Sequence, residues 1–179
     1  MMHLALLRGV NVGGKNRAPM ADIKRAVEDL GFVRVSTYIN SGNVLFDAGR
    51  RRGARLAADI EGAIEGAVGF HVEVLLWDEE RLRDLVVAIP DTWVNDDATR
   101  CDVIFLWPDA DDPAIVDDLP LNPEVDRVTY LPGALVWRFD RPHAGRSRMN
   151  KLIGRDIYRR MTIRNVTTVR KLLALLDQE

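Results

Sequence analysis

The stretch Arg34-Val35-Ser36-Thr37-Tyr38-Ile39-Asn40-Ser41-Gly42-Asn43-Val44-Leu45-Phe46-Asp47 holds two strand-like runs, about 34–39 and 44–47, on either side of a polar turn. Glycine and asparagine take positive φ more easily than other residues, so 40–43 predicts a hairpin tip. Helical patterns flank it. Upstream, Met20, Ile23, Val27 and Leu30 recur at helical spacing after Pro19, with Gly31 as the stop. Downstream, Leu56, Ile60 and Ile64 share one face of a helix over about 54–68. An apolar run from His3 to Arg8, closed by Gly9, predicts an opening strand, and another strand follows at about 72–77. The order is βαββαβ, a split unit that sets two helices on one face of an antiparallel sheet, the ferredoxin-like arrangement.

Asp78 then caps a further helix carrying Leu82, Leu85, Val86 and Ile89, and Pro90 with the polar stretch 91–99 reads as a linker. Beyond it the order returns. A strand spans 102–107, Asp112-Pro113 opens a short helix ending near Leu119, and 127–131 and 135–139 form a hairpin around Pro132-Gly133-Ala134. A helix over about 147–161, a short strand at 162–164 and a last helix with Val169, Leu172, Leu173 and Leu176 complete it. The expected fold class is therefore α+β: two tandem ferredoxin-like βαββαβ subdomains, 1–90 and 100–179, each followed by an extra helix and packed as one compact unit. The halves repeat in pattern, not in residue identity.

The composition agrees with one folded globular chain. It has 179 residues, 47% of them hydrophobic and 29% charged, which sets it apart from disordered and collagen-like sequences. Apolar runs such as 172–176 fall far short of the ~20 residues needed to cross a bilayer, and the first residues lack the pattern of a secretory leader, so no membrane partner and a cytoplasmic location are expected. The single cysteine, Cys101, reads as a small buried hydrophobe. Net charge is only -2, yet residues 91–140 carry twelve acidic side chains against three basic, and 141–179 carry ten basic against three acidic. Two readings of this asymmetry stand: the segments meet each other, or the basic tail is kept for an anionic partner.

The loop Gly9-Val10-Asn11-Val12-Gly13-Gly14-Lys15-Asn16-Arg17 carries the chemistry. Gly9 and Gly14-Lys15 satisfy most of the phosphate-loop spacing, but Asn16 stands where a magnesium-binding hydroxyl is required, and the helix begins late, near Pro19. Nucleotide hydrolysis is thereby disfavoured. What remains is a nest of glycine amides ringed by Arg8, Lys15 and Arg17, suited to a phosphate or carboxylate; the alternative is a plain sharp turn between strand and helix. Strand one runs antiparallel to strand three, so this loop lies at the same sheet end as the tip 40–43. The candidate ligand-binding set is Arg8, Gly9, Asn11, Gly13, Gly14, Lys15, Asn16 and Arg17 from the loop, with Tyr38, Ser41, Gly42 and Asn43 from the hairpin; the ligand class is a phosphate-bearing small molecule. Ser41 and the asparagines also read as satisfying their own turn.

A second feature is the basic ridge formed if 147–161 is helical. Arg148, Lys151, Arg155 and Arg159 then share one face, with Arg146 just before it, and Met149, Ile153 and Ile157 lie on another. Such a ridge suits a phosphate backbone, though nucleic acid is the less favoured partner because stacking aromatics on strands one and three are absent. His3, His71 and His143 lack ligand spacing to one another or to Cys101, so no metal, no cofactor and no catalytic group is assigned.

Taken together, Ala5 to Asn16 and Thr37 to Phe46 resemble the two signature blocks of the bacterial domain of unknown function 1697 family. A weaker third block, Gly145-Arg146-Ser147-Arg148-Met149 with Thr162 to Leu172, is similar to its C-terminal signature, departing at Arg148, where lysine is usual, and at Val166, where tryptophan is usual. The resemblance implies an α+β protein resembling two ferredoxin-like subdomains and leaves the chemistry open.

Overall fold

The computed structural model describes residues 1–12 and 16–178. Eight strands form two four-stranded antiparallel sheets. The first contains β1 (Met2–Leu7), β2 (Val33–Thr37), β3 (Asn43–Asp47) and β4 (Val74–Asp78) in the order β2-β3-β1-β4. The second contains β5 (Thr99–Leu106), β6 (Arg127–Leu131), β7 (Ala134–Asp140) and β8 (Met161–Asn165) in the order β6-β7-β5-β8. The α-helices are α1 (Met20–Asp29), α2 (Gly53–Val68), α3 (Glu79–Ala88) and α4 (Val166–Leu176). Among the described residues no helix is long and apolar enough to cross a membrane. Compactness groups Met1–Leu82 with the chain from Leu172, and Arg83–Lys171 as a second unit.

In the first unit the period-2 alternation of the strands meets the 3.6 period of the helices. Ala5, Leu7, Val44, Phe46 and Val74 point to one side of the sheet, where Ile23 and Val27 of α1 and Leu56, Ile60 and Ile64 of α2 close over them. Gly69 ends α2 in the left-handed conformation, φ +81°, donating its N–H to Glu65. The outer strand β2 is irregular: its register with β3 shifts between Val33 and Ser36, and Arg34 there has φ +53° and pairs with Asp47 at 2.9 Å.

His3 lies buried beside this core, stacked on Phe46, with Nδ1–H donating to the Met1 carbonyl at 2.9 Å. Burial holds its pKa below the usual 6.5. The native state therefore favours the neutral ring, while the unfolded chain takes up a proton near 6.5, so stability falls as pH drops below that value and levels off under the lowered native pKa. Urea unfolding at pH 7.5 and 5.5 should show a larger loss for the wild type than for His3→Gln; equal losses would count against this assignment.

In the second unit Ile104, Leu106, Leu135, Trp137, Phe139 and Met161 form the core side of the sheet, covered by 3-10 segments in place of the long helices of the first. Pro113–Asp118 is one, capped as expected by Asp112, whose Oδ1 accepts the Ala114 N–H at 2.8 Å. The helix expected over 147–161 does not form. Its place is taken by two 3-10 turns, Met149–Leu152 and Asp156–Arg160, with Gly154 between them. The apolar spacing explains this: Met149 and Leu152, three apart, are the buried pair, whereas Ile153 is 61% exposed. Three-residue spacing is the 3-10 period, and a mid-helix glycine costs about 1 kcal/mol. The polar stretch 91–99 is strapped down within this unit. Arg141 Nε donates to the Asp96 carbonyl at 2.6 Å, and Arg170 donates to the Trp93 and Pro90 carbonyls at 3.2 and 3.1 Å.

The two sheets share backbone bonds as well as strand order. Leu7 N–H donates to Gly42 O at 2.8 Å, and Leu106 N–H to Gly133 O at 2.9 Å; Arg8 N–H donates to Glu73 O at 3.0 Å, and Trp107 N–H to Arg160 O at 3.1 Å. Gly42 and Gly133 both have positive φ, +79° and +84°. Each fourth strand runs into a helix capped by its last residue: Asp78 Oδ1 accepts Arg81 N–H, and Asn165 Oδ1 accepts Thr168 N–H, both at 2.8 Å. The halves differ in their connections. Two residues join β6 to β7, but five join β2 to β3; β1 and α1 are twelve residues apart.

Candidate functional site

The long loop and the long hairpin meet, as the antiparallel pairing of β1 with β3 requires. Gly42 is the hinge of the meeting. Besides accepting Leu7 N–H, it lies so close to β1 that a Cβ there would stand 2.5 Å from Val10 Cγ2 and 2.7 Å from Leu7 Cβ. Further out, Asn11 ties the parts together in the left-handed region, φ +56°. Its Oδ1 accepts Ala18 N–H at 2.9 Å, and its Nδ2 donates to the carbonyls of Ala18, 2.9 Å, and Asn40, 3.0 Å. Its N–H donates to Asn16 O at 3.0 Å, which forms a stem between these two residues. Asn16, also left-handed at φ +52°, reaches back to the Gly9 carbonyl at 3.5 Å.

The predicted residues divide by role. Asn43 is fully buried and donates from Nδ2 to Tyr38 O at 2.9 Å and Ser41 Oγ at 3.1 Å, so this part of the hairpin set satisfies its own turn. Asn11 is likewise occupied in holding the loop. The amide of Arg8 is bonded to Glu73, and its guanidinium approaches the Glu73 carboxylate at 3.4 Å. Asn16 and Arg17 are exposed. Gly13, Gly14 and Lys15, at the centre of the anion reading, lie outside the described residues.

The basic tail is rearranged relative to expectation. Without an α-helix over 147–161, Arg148, Lys151, Arg155 and Arg159 do not form a helical ridge, which corrects the basic helix expected there. The tail meets the acidic segment instead at several points: Arg160 grips Asp109 Oδ1 at 2.6 Å, and Arg155 donates to the Asp118 carbonyl at 2.9 Å. Arg146 pairs with Glu124.

One group in this region was not signalled by any sequence pattern. Asp126 is 4% exposed, and its carboxylate accepts four hydrogen bonds. Oδ1 receives Trp137 Nε1–H at 3.0 Å and Ser147 Oγ–H at 2.5 Å, while Oδ2 receives the N–H groups of Asn122 at 2.9 Å and Arg148 at 3.1 Å. Burial pushes its pKa up, but the donors outweigh burial, Ser147 foremost, and hold it below the usual 3.8. In an acid-rich stretch nothing marks which aspartates, here Asp102 and Asp126, are buried. Cys101 is fully buried, and burial raises its thiol to about 11, so it is a packing residue with little thiolate at neutral pH. Among the described residues no three His, Cys, Asp or Glu side chains gather where they could hold a metal.

Two four-stranded antiparallel sheets with few helices, one bearing an extended loop and hairpin, define a mixed α+β protein with its elaboration at one sheet end. The chain belongs to the family described as protein of unknown function DUF1697, whose model matches residues 1–137. That match contains both the loop and hairpin blocks and stops before the third block at 145–172. No curated protein matches the chain. Among solved structures it is similar to that of SP0830, a conserved bacterial protein from Streptococcus pneumoniae, at 28% identity and a TM-score of 0.83, over 98% of each chain.

Proposed function

We propose that the joined loop and hairpin tip of the first sheet bind a phosphate-bearing small molecule, in a cytoplasmic protein built from two ferredoxin-like halves, 1–90 and 100–179. The stem that Asn11 closes against Asn16, Ala18 and Asn40 carries this reading. It holds both ends of a glycine-rich, basic segment in place before any ligand arrives, which lowers the ordering cost of binding. The second half supplies an internal comparison. It shares the strand order and backbone bonds, yet it closes its hairpin with two residues and fastens that turn through Asp111, which accepts Gly133 N–H at 2.7 Å and Tyr130 Oη–H at 2.8 Å. The fold thus closes without the extra length, and a typical connection is about 4–6 residues.

The ligand-contacting residues are the glycine amides at 13 and 14 together with Lys15, Asn16 and Arg17. Arg8 supplies further positive charge; Asn11, Gly42 and Asn43 act as positioning groups. A thermal-shift screen of phosphate-containing metabolites at low salt tests this. A ligand present at 100-fold its Kd adds about 2.7 kcal/mol, a shift of several degrees for a chain of this size. Lys15→Ala and Arg17→Ala should remove the shift; if Lys15→Ala leaves every shift unchanged, the proposal fails.

A further inference from the structure

The connection from β3 into α2 concentrates positive charge at the sheet end away from the loop and hairpin. β3 begins with Asn43 paired to Leu6 and ends with Asp47 paired to Met2, and Arg50, Arg51, Arg52 and Arg55 follow. All four arginines are exposed. Arg51 is the buttress: its N–H donates to Ala48 O at 3.1 Å, and its guanidinium donates to Leu30 O at 3.0 Å while standing 5.1 Å from the centre of the Phe32 ring. Arg52 reaches the Met1 thioether, a weak acceptor that leaves its charge uncompensated. Among the described residues Arg50, Arg52 and Arg55 form no ion pair, not even Arg55 with Asp59 one turn along α2. Asp47, the carboxylate just before the run, is engaged with the Met1 amino group at 2.7 Å, Arg34 at 2.9 Å and the Gly49 N–H at 2.8 Å.

These positions run against local preference. α1 and α3 carry Asp22 and Glu79-Glu80 in their first turns, where negative charge suits the helix dipole, whereas α2 has no acidic residue there and opens on Arg52 and Arg55. Gly49 and Gly53, φ +61° and +75°, bracket the run, and a Cβ on either would meet nothing within 4 Å, so the space around both is open. We infer that Arg50, Arg52 and Arg55 bind the phosphate backbone of a nucleic acid without reading its sequence. Guanidinium groups match phosphate oxygens with paired N–H donors. An open run of cations suits a polymer that presents its phosphates in series, whereas a small anion needs a concave site to enclose it. A lipid surface would need apolar side chains beside the charges, and residues 49–55 hold none larger than Ala54. They hold no aromatic side chain to stack on a base, which limits the contact to the backbone. This surface and the anion-binding loop lie at opposite ends of β3, and neither depends on the other.

The test is fluorescence anisotropy of the full chain with a labelled mixed-sequence DNA duplex and a labelled single-stranded RNA, at about 50 and about 200 mM salt. Three phosphate contacts predict that duplex affinity falls about 40-fold across that range. The triple variant Arg50→Glu, Arg52→Glu, Arg55→Glu should abolish binding without lowering the melting temperature, since only a thioether contact is lost and the helix start gains acidic residues. Arg50→Gln alone, at a side chain without a partner in the chain, should lessen the slope of log affinity against log salt by about 0.9. A variant of equal charge change, Arg148→Glu, Lys151→Glu, Arg159→Glu, should keep wild-type affinity, and a scrambled duplex should bind as well as the first. Failure of both nucleic acids to bind at the lower salt, binding that survives the first triple variant or is lost equally in the second, or binding confined to phosphatidylserine-containing vesicles tested in parallel would each overturn the inference.

Discussion

Gly42→Ala should destabilise the protein by about 3 kcal/mol. Two costs add at this position. A left-handed φ of +79° costs an L-residue about 1–2 kcal/mol, and a methyl group placed 2.5 Å from Val10 Cγ2 and 2.7 Å from Leu7 Cβ forces overpacking worth about 1–3 kcal/mol. Gly31 provides the control. It has φ +82° but nothing within 4 Å of an added Cβ, so Gly31→Ala should pay only the conformational part. Urea unfolding of the two variants separates the contributions, and equal losses would show that the close approach to β1 is unimportant. The damage from Gly42→Ala should also spread. Leu7 donates to the Gly42 carbonyl and Asn11 to that of Asn40, so hydrogen exchange should quicken at Asn11 and Ala18 as the loop loses its anchor.

Asp126→Ala should cost at least as much, about 3–5 kcal/mol. Removing the carboxylate strands four donors, the Trp137 indole, the Ser147 hydroxyl and the amides of Asn122 and Arg148, and each buried unsatisfied group costs about 1–3 kcal/mol before relaxation or water entry. Asp126→Asn keeps the shape but turns an NH2 toward donors at one end, so it should rescue only part of the loss. The pH dependence has a definite sign. The native carboxyl titrates below its unfolded value, so its contribution is present above about pH 3.9 and disappears as pH falls through the lower native pKa. The stability difference between wild type and Asp126→Ala, measured by denaturant from pH 7 to pH 2.5, should therefore shrink in acid. A loss below 1 kcal/mol at pH 7, or a pH-independent difference, would refute this role.

Asp126 also explains what Gly145-Arg146-Ser147-Arg148-Met149 does in this chain. Ser147 supplies a hydroxyl and Arg148 a backbone amide to one buried carboxylate, so the block fastens the segment before β8 to the start of β6.

The parts of the fold that were legible in the sequence are those governed by local periodicity. Ile23 and Val27, and Leu56, Ile60 and Ile64, repeat at helical spacing because a helix buries one stripe, and Pro19 and Gly31 punctuate the first of them. The meeting of the loop with the hairpin was legible too, since it follows from strand direction. Over 147–161 the pattern Met149, Ile153, Ile157 competed with Met149, Leu152, and only packing chooses between spacings of four and three. The roles of Asn11 and Asp126 were hidden because side-chain bonds to distant backbone groups leave no periodic trace. The matching backbone bonds of the two sheets were equally hidden. They join Leu7 to Gly42 and Leu106 to Gly133, but Arg8 corresponds to Trp107 and Glu73 to Arg160, so peptide groups are shared where side chains are not.

The broken register of β2 bears on how the chain behaves in a crowded solution. A straight outer strand offers an incoming peptide an unbroken row of donors and acceptors, the template on which fibrils grow. Here the row is interrupted between Val33 and Ser36, and the interruption carries a cation at Arg34. A stray extended segment arriving there would find its hydrogen bonds out of phase after a few residues, which discourages runaway polymerisation from that margin of the sheet.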